Sequence, residues 1–173
     1  MDFALLEKGI WLGFAGIGFG ALFNVPRRTL AAIYIMSALG GLLKFYMISL
    51  EFGLVFAAFC GSSLIGFLSV LAAHYRKAPP MTFSLPALIP MIPGFFAYKA
   101  MVGVMKLTAE KDPEVYSTLF FETAKNGLSA CFIILALSAG VAIPLLIARK
   151  ETVKRIKTDK VLEMQLENLE EEN

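Results

Sequence analysis

Two cysteines, one histidine and one tryptophan are all that the 173 residues hold of those types, and the scarcity excludes several chemistries. Cys60 and Cys131 lie inside apolar stretches, with no CxxC and no Cys/His cluster, so neither a disulfide framework nor a zinc site is read. No acid sits in the middle of any apolar run, and there is no nucleophile-plus-base pattern, phosphate loop or metal motif. The chain is therefore not read as an enzyme, and no cofactor is expected. The formal charge of +2 gathers at segment ends and in the C-terminal tail, which gives no patch for nucleic acid. The start, Met1 to Lys8, lacks the basic opening of a secretory signal, so the first apolar run is read as a retained helix.

Apolar residues fill the space that charge leaves. They make up 57% of the chain, against 17% charged, and several runs reach the ~18–20 residues that a helix needs to cross a hydrocarbon core. An integral, all-α membrane protein follows. Five spans are read, over residues 9–25, 29–50, 52–75, 82–105 and 121–148. A polar stretch, 106–118, separates the last two, and residues 149–173 form a charged tail after a membrane domain of residues 1–148. In the tail Leu162, Leu166 and Leu169 recur at helical spacing, which suits either an amphipathic contact helix or a solvated tail.

The fourth span is unusual. Pro86, Pro90, Pro93 and Gly94 interrupt an otherwise apolar segment, and each proline removes a backbone donor and clashes with the turn before it. Unpartnered carbonyls cost several kcal/mol each in hydrocarbon, so such backbone is tolerated only inside protein or beside a wet cavity. Broken spans of this kind build substrate sites in secondary transporters. Amides freed at Pro93-Gly94 suit a carboxylate, and carbonyls released near Pro86 and Pro90 suit an ammonium or cation. Lys99 has two readings, a snorkelling cation or an anion ligand, and Tyr98 is an interfacial aromatic beside it.

Ten of the sixteen basic residues fall on one side if all five segments cross: Arg27, Arg28, Arg76, Lys77, Arg149, Lys150, Lys154, Arg155, Lys157 and Lys160. Lys8, Lys44, Lys106, Lys111 and Lys125 fall on the other. The positive-inside rule then puts the N-terminus outside and the C-terminus in the cytoplasm. A re-entrant fourth segment would force one basic cluster outward, so a full crossing is expected.

Gly9, Gly13, Gly16 and Gly20 share one face of the first span, where small residues let helix backbones approach. This is a packing seam, open to a neighbouring helix, a partner subunit or a higher oligomer. Ser62 and Ser63 either line a polar path or bond back to their own helix. His74 reads as a solvated interfacial histidine or a proton relay. Glu122, one turn before Lys125, reads as half of an ion pair.

Two elements together resemble a known family. Phe23-Asn-Val-Pro-Arg-Arg28 after the glycine-rich span, followed by Pro86-x-x-x-Pro90-x-x-Pro93-Gly94-x-x-x-Tyr98, is similar to the threonine/serine exporter family. The closer similarity is to the short, membrane-only subunit of its split form, over residues 10–149. The resemblance implies a bacterial inner-membrane exporter subunit driven by the proton motive force, moving threonine- or serine-like amino acids or small carboxylic acids. It implies a partner as well: a longer membrane subunit with a cytoplasmic N-terminal domain. It marks Pro86, Pro90, Pro93, Gly94, Tyr98 and Lys99 as the expected substrate site. Lys99 stands where members commonly carry arginine, which keeps the charge and loses the bidentate fork. A scaffold subunit that binds no substrate is the competing expectation; it has no need of frayed backbone at membrane depth.

Overall fold

The computed structural model describes the backbone of residues 3–76 and 78–171 and the side chains of residues 5–76 and 78–148. It is helical, with no strand among the described residues: α1 (Phe3–Leu22), α2 (Arg27–Ser49), α3 (Leu54–Arg76), α4 (Met81–Leu88), a 3-10 turn (Ile89–Met91), α5 (Gly94–Ala109) and α6 (Pro113–Glu171). Four helices are long and apolar enough to cross a membrane, and α4 with its turn and α5, bent by 56°, adds a fifth when that pair is one span. The 11 residues of the first half rise about 18 Å and the 16 of α5 about 24 Å. With the first half upright, a 56° bend leaves α5 about 13 Å of depth. The sum of about 31 Å matches a hydrocarbon core.

The direction of the helices agrees. Ser62 of α3 donates to the Ala136 carbonyl of α6, and Gly66, four residues on, lies against Val141 and Pro144. Contacts that advance together mean that α3 and α6 run parallel. The chain between them must therefore pass from one end of the bundle to the other. The α1–α2, α2–α3 and α5–α6 pairs are antiparallel, as their Gly9–Leu42 and Gly20–Leu30, Gly40–Ile65 and Lys44–Gly61, and Gly103–Thr123 and Ala100–Gly127 contacts show. The core gathers around α4, whose Phe83 and Ala87, with Met91 of the turn, pack among Ile33, Met36, Ala58, Ile65, Ile133 and Leu137.

Helix ends explain the Asn-x-Pro element. Asn24 has a left-handed φ of 53°, the amide of Val25 reaches back to Gly20 at 3.0 Å, and that of Asn24 to Ala21 at 3.0 Å, a Schellman stop. Pro26, which cannot continue a helix, then opens α2, with its carbonyl accepting both the Thr29 amide (2.9 Å) and hydroxyl (2.7 Å). Glu51 repeats the stop at the end of α2, with φ 63° and the Phe52 amide on Met47 at 3.1 Å.

The polar stretch assigned to 106–118 is mostly helix. Only the residues between Ala109 and Pro113 break the chain. Asp112 Oδ1 accepts the Glu114 amide at 3.0 Å with Pro113 in the first turn, a start signal that carries α6 in before its apolar run begins. Its backbone continues through the end of the apolar span to Glu171. The choice between a contact face at Leu162, Leu166 and Leu169 and a solvated tail lies outside the described side chains, and Lys77 lies outside the described residues.

Lipid tails are as apolar as leucine, so helices associate here through close packing rather than through escape from water. The α1 stripe supplies such packing inside the chain: Gly9, Gly13, Gly16 and Gly20 face Leu42, Tyr34, Ser37 and Leu30 of α2. Ser37 completes the seam by donating to the Leu12 carbonyl at 2.8 Å. Leucine at Gly13 would push against the ring edge of Tyr34, 2.6 Å from the position of a Cβ. That ring is half-buried and can swing, so Gly13→Leu is expected to cost about 1 kcal/mol. A small fall in the melting temperature of purified protein should register it, and a collapse of folded yield would show the ring to be fixed.

Candidate functional site

The break begins with the sequence and ends with a lysine. Pro86 sits inside α4 and cannot donate to the Thr82 carbonyl; Pro90 cannot donate to Pro86, nor Pro93 to Ile89. The Ile89 carbonyl is recovered by the Ile92 amide at 3.0 Å in the 3-10 turn. Ile92 is extended, and Pro93, at φ −79° and ψ 58°, is the centre of an inverse γ-turn closed by the Gly94 amide on the Ile92 carbonyl at 2.8 Å. α5 restarts there, with the Phe96 and Ala97 amides both on the Pro93 carbonyl, at 3.1 and 3.2 Å. Most of the amides expected to meet an anion are thus taken up locally.

The Met91 carbonyl has a different fate. In an unbroken helix it would accept from Phe95; here it accepts Lys44 Nζ from α2 at 3.0 Å. Gly61 makes this approach possible. A Cβ on Gly61 of α3 would stand 2.6 Å from Met91 Cε, 2.6 Å from the Gly40 carbonyl and 3.2 Å from Lys44 Cβ. Lys44, near the far end of the second span and counted with the outer-side charges, is a half-buried cation, and among the described residues no acid pairs with it. One turn and a half before the break, Ser84 Oγ is buried with no hydrogen-bond partner among the described residues.

Beyond the break α5 leans away from the core and packs on α6. A cavity of about 450 Å³ opens between them, walled by Phe95, Phe96, Val102 and Leu119. Its polar groups are Tyr98, Lys99, Lys106, Glu122, Thr123, Lys125 and Asn126. Three ammonium groups against one carboxylate make the cleft electropositive. Lys99 Nζ stands over the Phe95 ring, 4.5 Å from its centroid, a cation–π contact that holds it at the mouth. The expected Glu122–Lys125 ion pair is absent among the described residues, and Asn126 donates to the backbone carbonyl of Glu122 at 2.8 Å.

The residues expected at one site thus fall at two places. Pro86 and Pro93 are buried in the bundle, Pro90 is half-buried and Gly94 exposed at the bend, while Tyr98 and Lys99 are exposed along the α5–α6 cleft. Sequence reasoning missed Lys44, Thr123 and Asn126. For Lys44 a signal existed: a lysine set inside the end of an apolar span, with no acid nearer in sequence than Glu51. Ser62 and Ser63 bond across α3 and α6, to Ala136 at 3.4 Å and Gly140 at 3.3 Å, and Ser62 also bonds back to Phe59 at 3.0 Å. They tie helices together. His74 is exposed at the end of α3.

These features define a multi-pass helical membrane protein whose fourth span is broken around a lysine. The family model described as "Threonine/Serine exporter, ThrE" matches residues 8–147, and the chain belongs to that family of exporters. An uncharacterized protein of Haemophilus influenzae is 33% identical over 150 residues, covering 86% of this chain and 50% of that protein. The chain thus spans about half the length of this curated relative. No solved structure matches.

Proposed function

We propose that the chain is one half of a secondary exporter that moves small amino acids of the threonine/serine type, or small carboxylic acids, out of a bacterial cell across its inner membrane. The proton motive force drives it, and a longer membrane subunit with a cytoplasmic N-terminal domain completes it. The observation that carries this reading is the broken span: frayed backbone inside a bundle, met by a cation, in a member of an exporter family. The half that the chain leaves unmatched in its relative has the size of a second membrane half. Two such halves in opposite orientations would form an inverted repeat. A scaffold reading has no comparable observation behind it.

The N-terminus lies outside and the C-terminus in the cytoplasm. Parallel α3 and α6, with α2 antiparallel to α3, support this by gathering Arg27, Arg28, Arg76 and the far end of the last span at one end of the bundle. In a background lacking Cys60 and Cys131, cysteines at Arg28 and Arg76 should resist membrane-impermeant reagents in intact cells. A cysteine at Glu110 should label. Labelling at Arg28 from outside would overturn the orientation. For the activity itself, cells holding both subunits should lose preloaded threonine, serine or succinate faster than cells holding either alone. Equal retention in all three strains would count against export.

A further inference from the structure

We propose that Lys44 receives the carboxylate of the exported solute, and that the Met91 carbonyl is the resident acceptor which the carboxylate displaces. This rests on the exporter reading above and adds to it a residue and a chemical group.

The argument starts from the hydrogen-bond inventory. An ammonium carries three donors, and Lys44 spends one, at 3.0 Å, on Met91. A cation at membrane depth is costly unless paired, yet among the described residues Lys44 has no acid partner. A neutral carbonyl is a weak counterpart. A carboxylate forms charge-assisted bonds about twice as strong. An incoming carboxylate therefore has something to gain at this ammonium that the resting chain does not supply.

The carbonyl it displaces has an alternative partner. Met91 lies four residues before Phe95, whose amide is its helical donor in an unbroken helix, and no other group occupies that amide among the described residues. Exchange at Lys44 thus couples occupancy to the geometry of the bend. Gly61 is part of the device, because a side chain there would press on both Met91 and Lys44 where they meet. Met91 itself is buried and Lys44 half-buried, while Ile92, the next residue, is exposed and marks the edge of the exchange.

The test uses the chain together with its partner subunit in proteoliposomes. Lys44→Met keeps length and apolar character and removes the charge, while Lys44→Arg keeps the charge. Lys44→Met should raise KM for threonine, serine and succinate at least tenfold, with a smaller change in maximal rate. Lys44→Arg should stay within about threefold of the native chain. A merely structural staple would lower stability and maximal rate and leave KM in place. Should Lys44→Met assemble poorly, a cysteine at Ile92, with Lys44 intact and Cys60 and Cys131 removed, decides the matter. Saturating succinate should slow its thiol labelling at least fivefold, and erythritol, a neutral polyol, should not. Unchanged KM in Lys44→Met, or no protection by succinate at Ile92, overturns the proposal. If the native pair moves none of the three solutes, the exporter reading fails, while the protection assay still reports on Lys44 separately.

Discussion

Alanine at both Pro90 and Pro93 is expected to reduce export at least tenfold while leaving a chain that inserts and assembles. The two substitutions return backbone donors to the Pro86 and Ile89 carbonyls and remove two ring clashes, so the helix can run on through the break. Straightening the 56° bend removes the γ-turn at Pro93 and returns the Met91 carbonyl to the Phe95 amide, which leaves Lys44 without its acceptor. Membrane insertion should not suffer, because a continuous apolar helix satisfies its own backbone in lipid. Efflux of preloaded threonine, serine and succinate measures the effect, with expression and partner pull-down as controls. Native efflux from a well-assembled double variant would show that the break is not part of the path.

Leucine at Gly140 should cost far more stability than leucine at Gly13. A Cβ at Gly140 meets Ser62 Oγ and stands 2.7 Å from the Phe59 carbonyl, which is backbone and cannot turn aside. Ser62 and Ser63 bridge α3 to α6 at this point, so forcing the helices apart also breaks both bonds. Overpacking of this kind costs about 3 kcal/mol, and the lost hydrogen bonds add about 1 kcal/mol each. The folded yield in detergent should fall sharply and the melting temperature by several degrees. Gly18 is the control, since nothing lies within 4 Å of its Cβ position. Equal melting temperatures for Gly18→Leu and Gly140→Leu would mean that the α3–α6 seam is looser than described.

Much of this architecture is readable without coordinates because lipid leaves the backbone few choices. An apolar run of about 20 residues has to be helix, and the proline cluster at 86–93 announces a break, which the fold confines to Ile92 and Pro93 because Pro86 stays inside α4. Helix starts were harder to read. Asp112-Pro113 opens α6 eight residues before Phe121, where the apolar pattern begins, because a capping carboxylate needs no apolar neighbour. The glycine stripe announces a close approach but not its partner, and only the fold shows that α2 fills it. The contact that Lys44 makes was missed for a related reason. Counting charges by loop assigns a lysine near a span's end to the nearest surface, whereas its position is set by Met91, 47 residues away. The α5–α6 cleft is invisible in sequence because Lys99 and Thr123 come to line one cavity only after the chain turns at Glu110.

The central claim is that this chain is a working half of an exporter, and transport by reconstituted vesicles tests it most directly. Vesicles carrying the chain with its longer partner, preloaded with threonine, serine or succinate, should release at least one of these solutes when a proton gradient is imposed. Release should stop when the gradient is collapsed, and neither subunit alone should support it. Full gradient-driven release from vesicles holding only the longer subunit would contradict the account and leave this chain as a scaffold.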